Sequence, residues 1–178
     1  IHWLSERNAP KVILDAEALN TLPVVEIARP LPSGWVLTPH PGELSRLTSQ
    51  SAVAINEDRC KAARIAQNRW GGVVVLKGFR TVIANESGHL SILLSGNSAL
   101  AKAGSGDVLA GLLAGLYAQM NSAAEAAGLA SYVHGRIASQ HVRRGGDPAS
   151  LIPSDLIEEI DPTLAELRRA RRDRRRAE

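Results

Sequence analysis

Aromatic side chains make up only 3% of the 178 residues, with a single phenylalanine, which argues against a stacking platform for single-stranded nucleic acid. The one cysteine, Cys60, leaves no partner for a disulfide within the chain. That suits a reducing compartment, and a cytoplasmic location is the expectation. No apolar run approaches the roughly 18 residues of a membrane span, and the first residues lack the charged-then-apolar order of an export signal, so neither insertion nor secretion is indicated. Zinc-type His/Cys clusters are absent, as are a serine nucleophile elbow, GxxxxGK[ST] and a strand-linked GxGxxG. Metallohydrolases, α/β-hydrolases, P-loop NTPases and ordinary dinucleotide-binding domains are therefore set aside. His2, His89 and His141 have no partners at useful spacing, and His134 reads as a packed or surface helix residue rather than a ligand.

What is abundant is Ala, Leu, Val and Ile, within a hydrophobic fraction of 44%. Length and composition fit one domain with a real core, packed helix on sheet. The net charge of +3 is unevenly spread: residues 168–178 hold seven of the 21 basic residues and two of the 18 acidic ones. Up to Leu167 the chain carries 14 basic against 16 acidic residues and is mildly acidic. Residues 1–167 are thus read as the domain and 168–178 as an Arg-rich, disordered, solvated tail; nucleic acid is not favoured as a partner.

Val12-Ile13-Leu14, Trp35-Val36-Leu37 and Val73-Val74-Val75-Leu76 are solidly apolar and β-rich, as expected of parallel strands covered on both faces. Helices are expected over Glu17–Ala28, from Glu43, and over Asn56–Arg69, the last stopped by Gly71-Gly72. Thr81–Ala84 and Leu90–Leu94 flank the turn residues Asn85-Glu86-Ser87-Gly88 and predict a hairpin. Three helices follow, over Val108–Met120, Ser122–Val142 and Ser154 to about Arg169. Alternating strands and helices define an α/β fold with a mostly parallel sheet.

Each apolar strand ends in a polar residue: Asp15, His40 and Lys77. In a parallel sheet these ends share one edge, where ligands of open α/β folds bind. Ala103-Gly104-Ser105-Gly106-Asp107 runs directly into an apolar helix, with Gly104–Gly106 as the entering loop. Its unpaired N–H groups and missing Cβ atoms would suit an anion, with Asp107 beside it as a proton acceptor. Taken alone, the motif reads first as a Gly-entered helix with Asp107 as its ordinary first-turn acid. His40, between Pro39 and Pro41, is either an oriented imidazole or a turn histidine bonded to backbone, and Glu43 reads first as a helix acid. Asp15 is a ligand contact or an N-cap. Lys77, Gly78 and Thr81 offer an ammonium, backbone access and a hydroxyl to phosphate, or form a plain surface loop. Asn97 offers an amide to phosphate or substrate, or marks a turn.

Taken in order, VILDAEALN (12–20), LTPHPGE (37–43), VVLKG (74–78) with Thr81, Gly96-Asn97 and AKAGSGDVLAG (101–111) resemble the ADP/ATP-dependent NAD(P)H-hydrate dehydratases of the ribokinase-like superfamily. The likeness covers about residues 11–157. It implies a three-layer α/β/α fold with a mostly parallel sheet, a β-hairpin and C-terminal helices. It also implies restoration of NADHX and NADPHX to NADH and NADPH by phosphorylation of the hydrate hydroxyl and loss of phosphate. On that resemblance Asp107 is the catalytic base, and His40, Asp107, Asp15 and Asn97 meet the hydrate. Lys77, Gly78, Phe79, Arg80, Thr81, Gly104 and Gly106 hold ADP or ATP, with Mg²⁺ accompanying the nucleotide. No metal-ligand set of the protein's own is expected, and a homo-oligomer is. The family's Gly-rich N-terminal portion has no counterpart before Ile1, so the N-terminal part of the fold is expected to be missing, with an exposed sheet edge. The alternatives are a ribokinase-like kinase of a vitamin precursor and a non-catalytic nucleotide-binding fragment.

Overall fold

Five strands form one mixed sheet in chain order: β1 (Val12–Leu14), β2 (Leu31–Leu37), β3 (Gly71–Leu76), β4 (Val82–Ala84) and β5 (Leu90–Ile92). The computed structural model describes residues 1–7 and 9–177. β1, β2 and β3 are parallel, with Leu14 beside Leu37 and Leu37 beside Val74. β3, β4 and β5 continue as an antiparallel meander, which includes the expected hairpin.

The unbroken apolar runs are explained by burial on both faces. Along β3, Val73 and Val75 enter one core and Val74 and Leu76 the other, each 1% exposed or less. β2 divides in the same way, with Val36 on one side and Trp35 and Leu37 on the other. Each such side chain contributes about 1.5–3 kcal/mol by leaving water. The first core is covered by α6 (Ser105–Gln119), α7 (Ala123–Arg143) and α8 (Pro153–Glu158), through residues such as Leu109, Leu113, Ala130, Ile137 and Leu156. The second lies under α2 (Glu17–Thr21), α3 (Pro41–Thr48), α4 (Ala52–Glu57) and α5 (Arg59–Trp70), through Leu19, Leu44, Ile55, Ala63 and Trp70. Together these make three layers, α/β/α. α1 (His2–Glu6), a 3₁₀ turn (Ser98–Leu100) and α9 (Ile160–Ala177) complete the description.

Several boundaries depart from expectation. α2 ends at Thr21 rather than Ala28 because Pro23 has no N–H to donate, and in a continued helix its ring would press on the carbonyl of Leu19. The helix expected over Asn56–Arg69 is two helices parted at Asp58, which leaves helical geometry at φ −138° and caps α5 by accepting from Lys61 N at 2.9 Å. The last expected helix is likewise divided at Glu159. α6 starts at Ser105, so Gly106 lies inside its first turn rather than in the loop before it.

Over the Arg-rich end, α9 is helical through Ala177. Arg and Ala are strong helix formers. The root of α9 is also anchored, since Leu164 and Leu167 pack on the first core and Glu166 accepts from Arg136 and Gln140 of α7. Among the described residues, no helix is long and apolar enough to cross a membrane.

Candidate active site

The parallel neighbours β1, β2 and β3 deliver their carboxyl ends to one edge. Pairing continues past the strands, with Thr38 N donating to Leu14 O at 3.0 Å and Lys77 N to Pro39 O at 2.8 Å. Asp15 does not cap α2, whose N-cap is Ala16. Its Oδ1 instead accepts from Lys77 Nζ at 2.6 Å and from Thr38 Oγ1 at 2.8 Å. Ala16 has φ +48°, a conformation that a residue with a Cβ adopts only at a cost of about 1–3 kcal/mol. Such a turn immediately after Asp15 re-aims the chain away from the carboxylate.

His40 caps α3 with its ring: Nδ1 accepts from Gly42 N at 3.0 Å and Glu43 N at 3.3 Å. A nitrogen that accepts is unprotonated, so in the neutral ring the proton sits on Nε2, 3.4 Å from Glu43 Oε1. The imidazole is half exposed, so its outer edge faces solvent while its inner edge holds the helix. Glu43 completes the capping box by accepting from His40 N at 2.8 Å, and the same Oε2 stands 3.9 Å from Lys77 Nζ. Both readings of His40 are therefore met in one residue, and Glu43, read from sequence as a helix acid, also joins the charge cluster.

Lys77–Thr81 is the loop between β3 and β4. Phe79 and Arg80 stand exposed at its tip, with the Arg80 guanidinium 5.3 Å from the Phe79 ring centre, and Arg80 itself is at φ +57°. Thr81 Oγ1 donates to Gly78 O at 3.0 Å, closing the loop on itself. From beneath, Arg59 of α5 donates through Nη2 to Leu76 O at 2.9 Å and Lys77 O at 3.0 Å.

Opposite these ends, Gly104 enters α6 at φ +85°, and a Cβ there would come within 2.8 Å of Pro153 Cγ at the start of α8. Lys102 Nζ donates to Ala149 O and to Leu151 O, the latter at 2.7 Å, fixing the segment that leads into α8. The first-turn N–H groups of α6 have no acceptor within the helix and carry its positive dipole end. A Cβ built on Gly106 would lie 3.6 Å from Lys77 Nζ, so the lysine spans from the strand ends to this turn. Asp107, in the same turn, is exposed and has no hydrogen bond or ion pair among the described residues. Ser105 Oγ lies 3.1 Å from His134 Nε2, both buried. Burial lowers the His134 pKa to about 4, with the nearby Lys77 charge acting in the same sense, so the ring is neutral at ordinary pH.

The structure thus brings Asp15, His40, Lys77, Gly78, Phe79, Arg80, Thr81, Gly104 and Gly106 to one open edge with Asp107 on the facing helix. Asn97 differs: its Oδ1 caps Ala99 N at 3.0 Å and its Nδ2 donates to Ala138 O at 3.0 Å, so the amide is used internally. Thr38 and Arg59 were missed, because only folding shows what lies beneath a loop, while His134 is packed inside α7 as its sequence reading allowed. Glu43 was within reach of the sequence, since Pro at N1 and Glu at N3 mark a capping box. An open cavity of about 570 Å³, lined by His2, Ser5, Glu6 and residues 25–29, sits toward the opposite end of β2. Chemically, the edge sets a helix N-terminus, a bonded cation and, among the described residues, an unpaired carboxylate side by side.

Residues 1–162 match a family model described as NAD(P)H-hydrate dehydratase. A bifunctional NAD(P)H-hydrate repair enzyme of Moorella thermoacetica is 40% identical over 156 residues, covering 87% of this chain and 29% of the relative. The ADP-dependent (S)-NAD(P)H-hydrate dehydratase of Neisseria meningitidis is 37% identical, covering 86% of this chain and 53% of its own length. The chain therefore spans from under a third to about half of the length of these curated relatives. Among solved structures, the ADP/ATP-dependent NAD(P)H-hydrate dehydratase of Bacillus subtilis, co-crystallised with ATP/Mg²⁺, superposes with a TM-score of 0.80 at 31% identity, covering 89% of this chain and 56% of that one.

Proposed function

The chain belongs to the NAD(P)H-hydrate dehydratase family, and from that premise we propose that it takes part in the nucleotide-dependent dehydration of NADHX and NADPHX to NADH and NADPH. In this reading ADP or ATP phosphorylates the hydroxyl of the hydrated nicotinamide ring, and loss of phosphate restores the double bond. The observation that carries it is Asp107: an unpartnered, exposed carboxylate in the first turn of α6, beside N–H groups that suit a phosphate. That geometry supports Asp107 as the base accepting the hydroxyl proton. The α6 turn with Gly104 and Gly106, and the Lys77–Thr81 loop, would hold the nucleotide, with Phe79 offering an exposed ring.

His40, through its solvent-facing edge, and Asp15 would meet the hydrate. Asn97 would act through the turn that it caps. Phosphoryl transfer demands mainly positioning and charge stabilisation, which rigid strand ends and a helix terminus supply. Mg²⁺ would arrive on the nucleotide phosphates, its usual mode. When bound, the ion would neutralise phosphate charge. Self-association belongs to the same proposal and is read by sedimentation.

The test is incubation with NADHX, Mg²⁺ and ADP or ATP, followed by the near-ultraviolet absorbance of reduced nicotinamide. Asp107→Asn is expected to lower turnover about 10²–10⁴-fold while leaving the fold intact. An active wild type matched by Asp107→Asn overturns the assignment of the base. The second reading is nucleotide binding without turnover, and ADP binding with no product from wild type would select it.

A further inference from the structure

Two cations stand at the carboxyl end of β3, and they are compensated differently. Lys77 Nζ has Asp15 at 2.6 Å and Glu43 at 3.9 Å, so its charge is already matched by carboxylates. Arg59 has none: among the described residues it forms no ion pair, and its donors go to neutral oxygens, Leu76 O, Lys77 O and, from Nη1 at 3.1 Å, Asn56 Oδ1. Its Nε is buried without a partner. The guanidinium also lies close under Gly78, where a Cβ would meet Nη2 at 3.1 Å, Nη1 at 3.4 Å and Cζ at 3.5 Å. Gly78 is at φ +136°, so a side chain is excluded there by backbone conformation as well.

A guanidinium cannot shed its proton at any pH a protein survives, so Arg59 remains charged although burial lowers its pKa. Holding a partly desolvated charge without a counter-ion is unfavourable, and an anion arriving from outside would relieve that cost. The position has a second consequence. Strand ends present carbonyl oxygens, which would repel phosphate at the Lys77–Thr81 loop; Arg59 occupies the last carbonyl of β3 and the first of the loop and adds a positive charge beside them.

We propose that Arg59 is a positioning residue for the nucleotide: it shapes the Lys77–Gly78 turn from below and supplies the uncompensated positive charge against which the phosphates settle. The proposal rests on the nucleotide-dependent reading above and moves the electrostatic role there from Lys77 to a residue outside every sequence motif.

Two variants separate charge from shape. Arg59→Lys keeps the charge and loses the fork, and Arg59→Gln keeps a donor and loses the charge. With the chain, Mg²⁺ and ADP in a calorimetric titration, Arg59→Gln is expected to weaken ADP binding about tenfold, and Arg59→Lys only about twofold to threefold, as a lost unit charge near a phosphate predicts. In turnover assays the change should appear in the nucleotide KM, with kcat and the hydrate KM within about twofold, since binding lost equally from ground and transition states leaves kcat alone. Equal weakening by both variants, with both KM values and kcat changed together and a lowered Tm, means that Arg59 only supports the loop and overturns the proposal. So does an Arg59→Gln protein that binds ADP like wild type. A wild type that binds no ADP overturns the nucleotide reading as well, which distinguishes the two failures.

Discussion

Lys77 Nζ meets Asp15 Oδ1 at 2.6 Å across 62 residues of sequence, with the two side chains 18% and 15% exposed. The contact ties the end of β3 to the end of β1 over the top of β2. Removing either partner leaves a mostly buried charge short of its match. Lys77→Met or Asp15→Asn alone should cost about 1–3 kcal/mol in urea unfolding. The double variant should cost less than the two singles together, by about 0.5–3 kcal/mol of coupling. Simple additivity would show the pair to be energetically independent.

His134 gives a pH dependence of definite sign. Its folded pKa of about 4 lies below the ordinary 6.5, so the folded chain refuses a proton that the unfolded chain accepts. The stabilisation from a neutral ring is complete above pH 6.5 and is lost as pH falls through about 4. The loss reaches about 3 kcal/mol by proton linkage. Unfolding free energies of wild type and His134→Asn, measured from pH 7 downward, should converge over that window. Parallel curves would contradict the assignment.

Two helical glycines should respond oppositely to alanine. Gly115 in α6 is exposed, with nothing within 4 Å of a built Cβ, so Gly115→Ala should stabilise by about 0.5–1 kcal/mol through helix propensity. Gly135 in α7 faces Ser95, whose Oγ would lie 2.6 Å and carbonyl O 2.8 Å from the new carbon. There the same substitution should cost about 1–3 kcal/mol by overpacking, because backbone cannot yield as a side-chain end can. Paired thermal melts read both signs in one experiment.

The layers were legible in the sequence because burial on both faces leaves an unbroken apolar run, as Val73–Leu76 shows. The common edge followed, since parallel neighbours must end together. Helix ends were less legible: Asp58 is unremarkable as a letter, yet its side chain caps α5 and its backbone parts two helices. Asp15 looked like a cap because helix-forming residues follow it, but Ala16 at φ +48° turns the chain first and frees the carboxylate for Lys77. Tertiary distance hides the remainder. Nothing near Arg59 or His134 in sequence indicates that one lies under Gly78 and the other beside Ser105. Charge density at the Arg-rich end conceals the helix propensity and the anchoring of Leu164 and Leu167 from which α9 follows.

Gly104 and Pro153 have a thermodynamic consequence of their own. One is at φ +85°, and the other is a ring-locked residue packed behind it, with Lys102 fastening the segment between Ala149 and Leu151. The α6 turn is thus backed by packed and bonded segments on its inner side. On the proposed function, a phosphate settling there would have little backbone to order, so little affinity would be lost to entropy on binding, and association should be fast and nearly independent of loop closure.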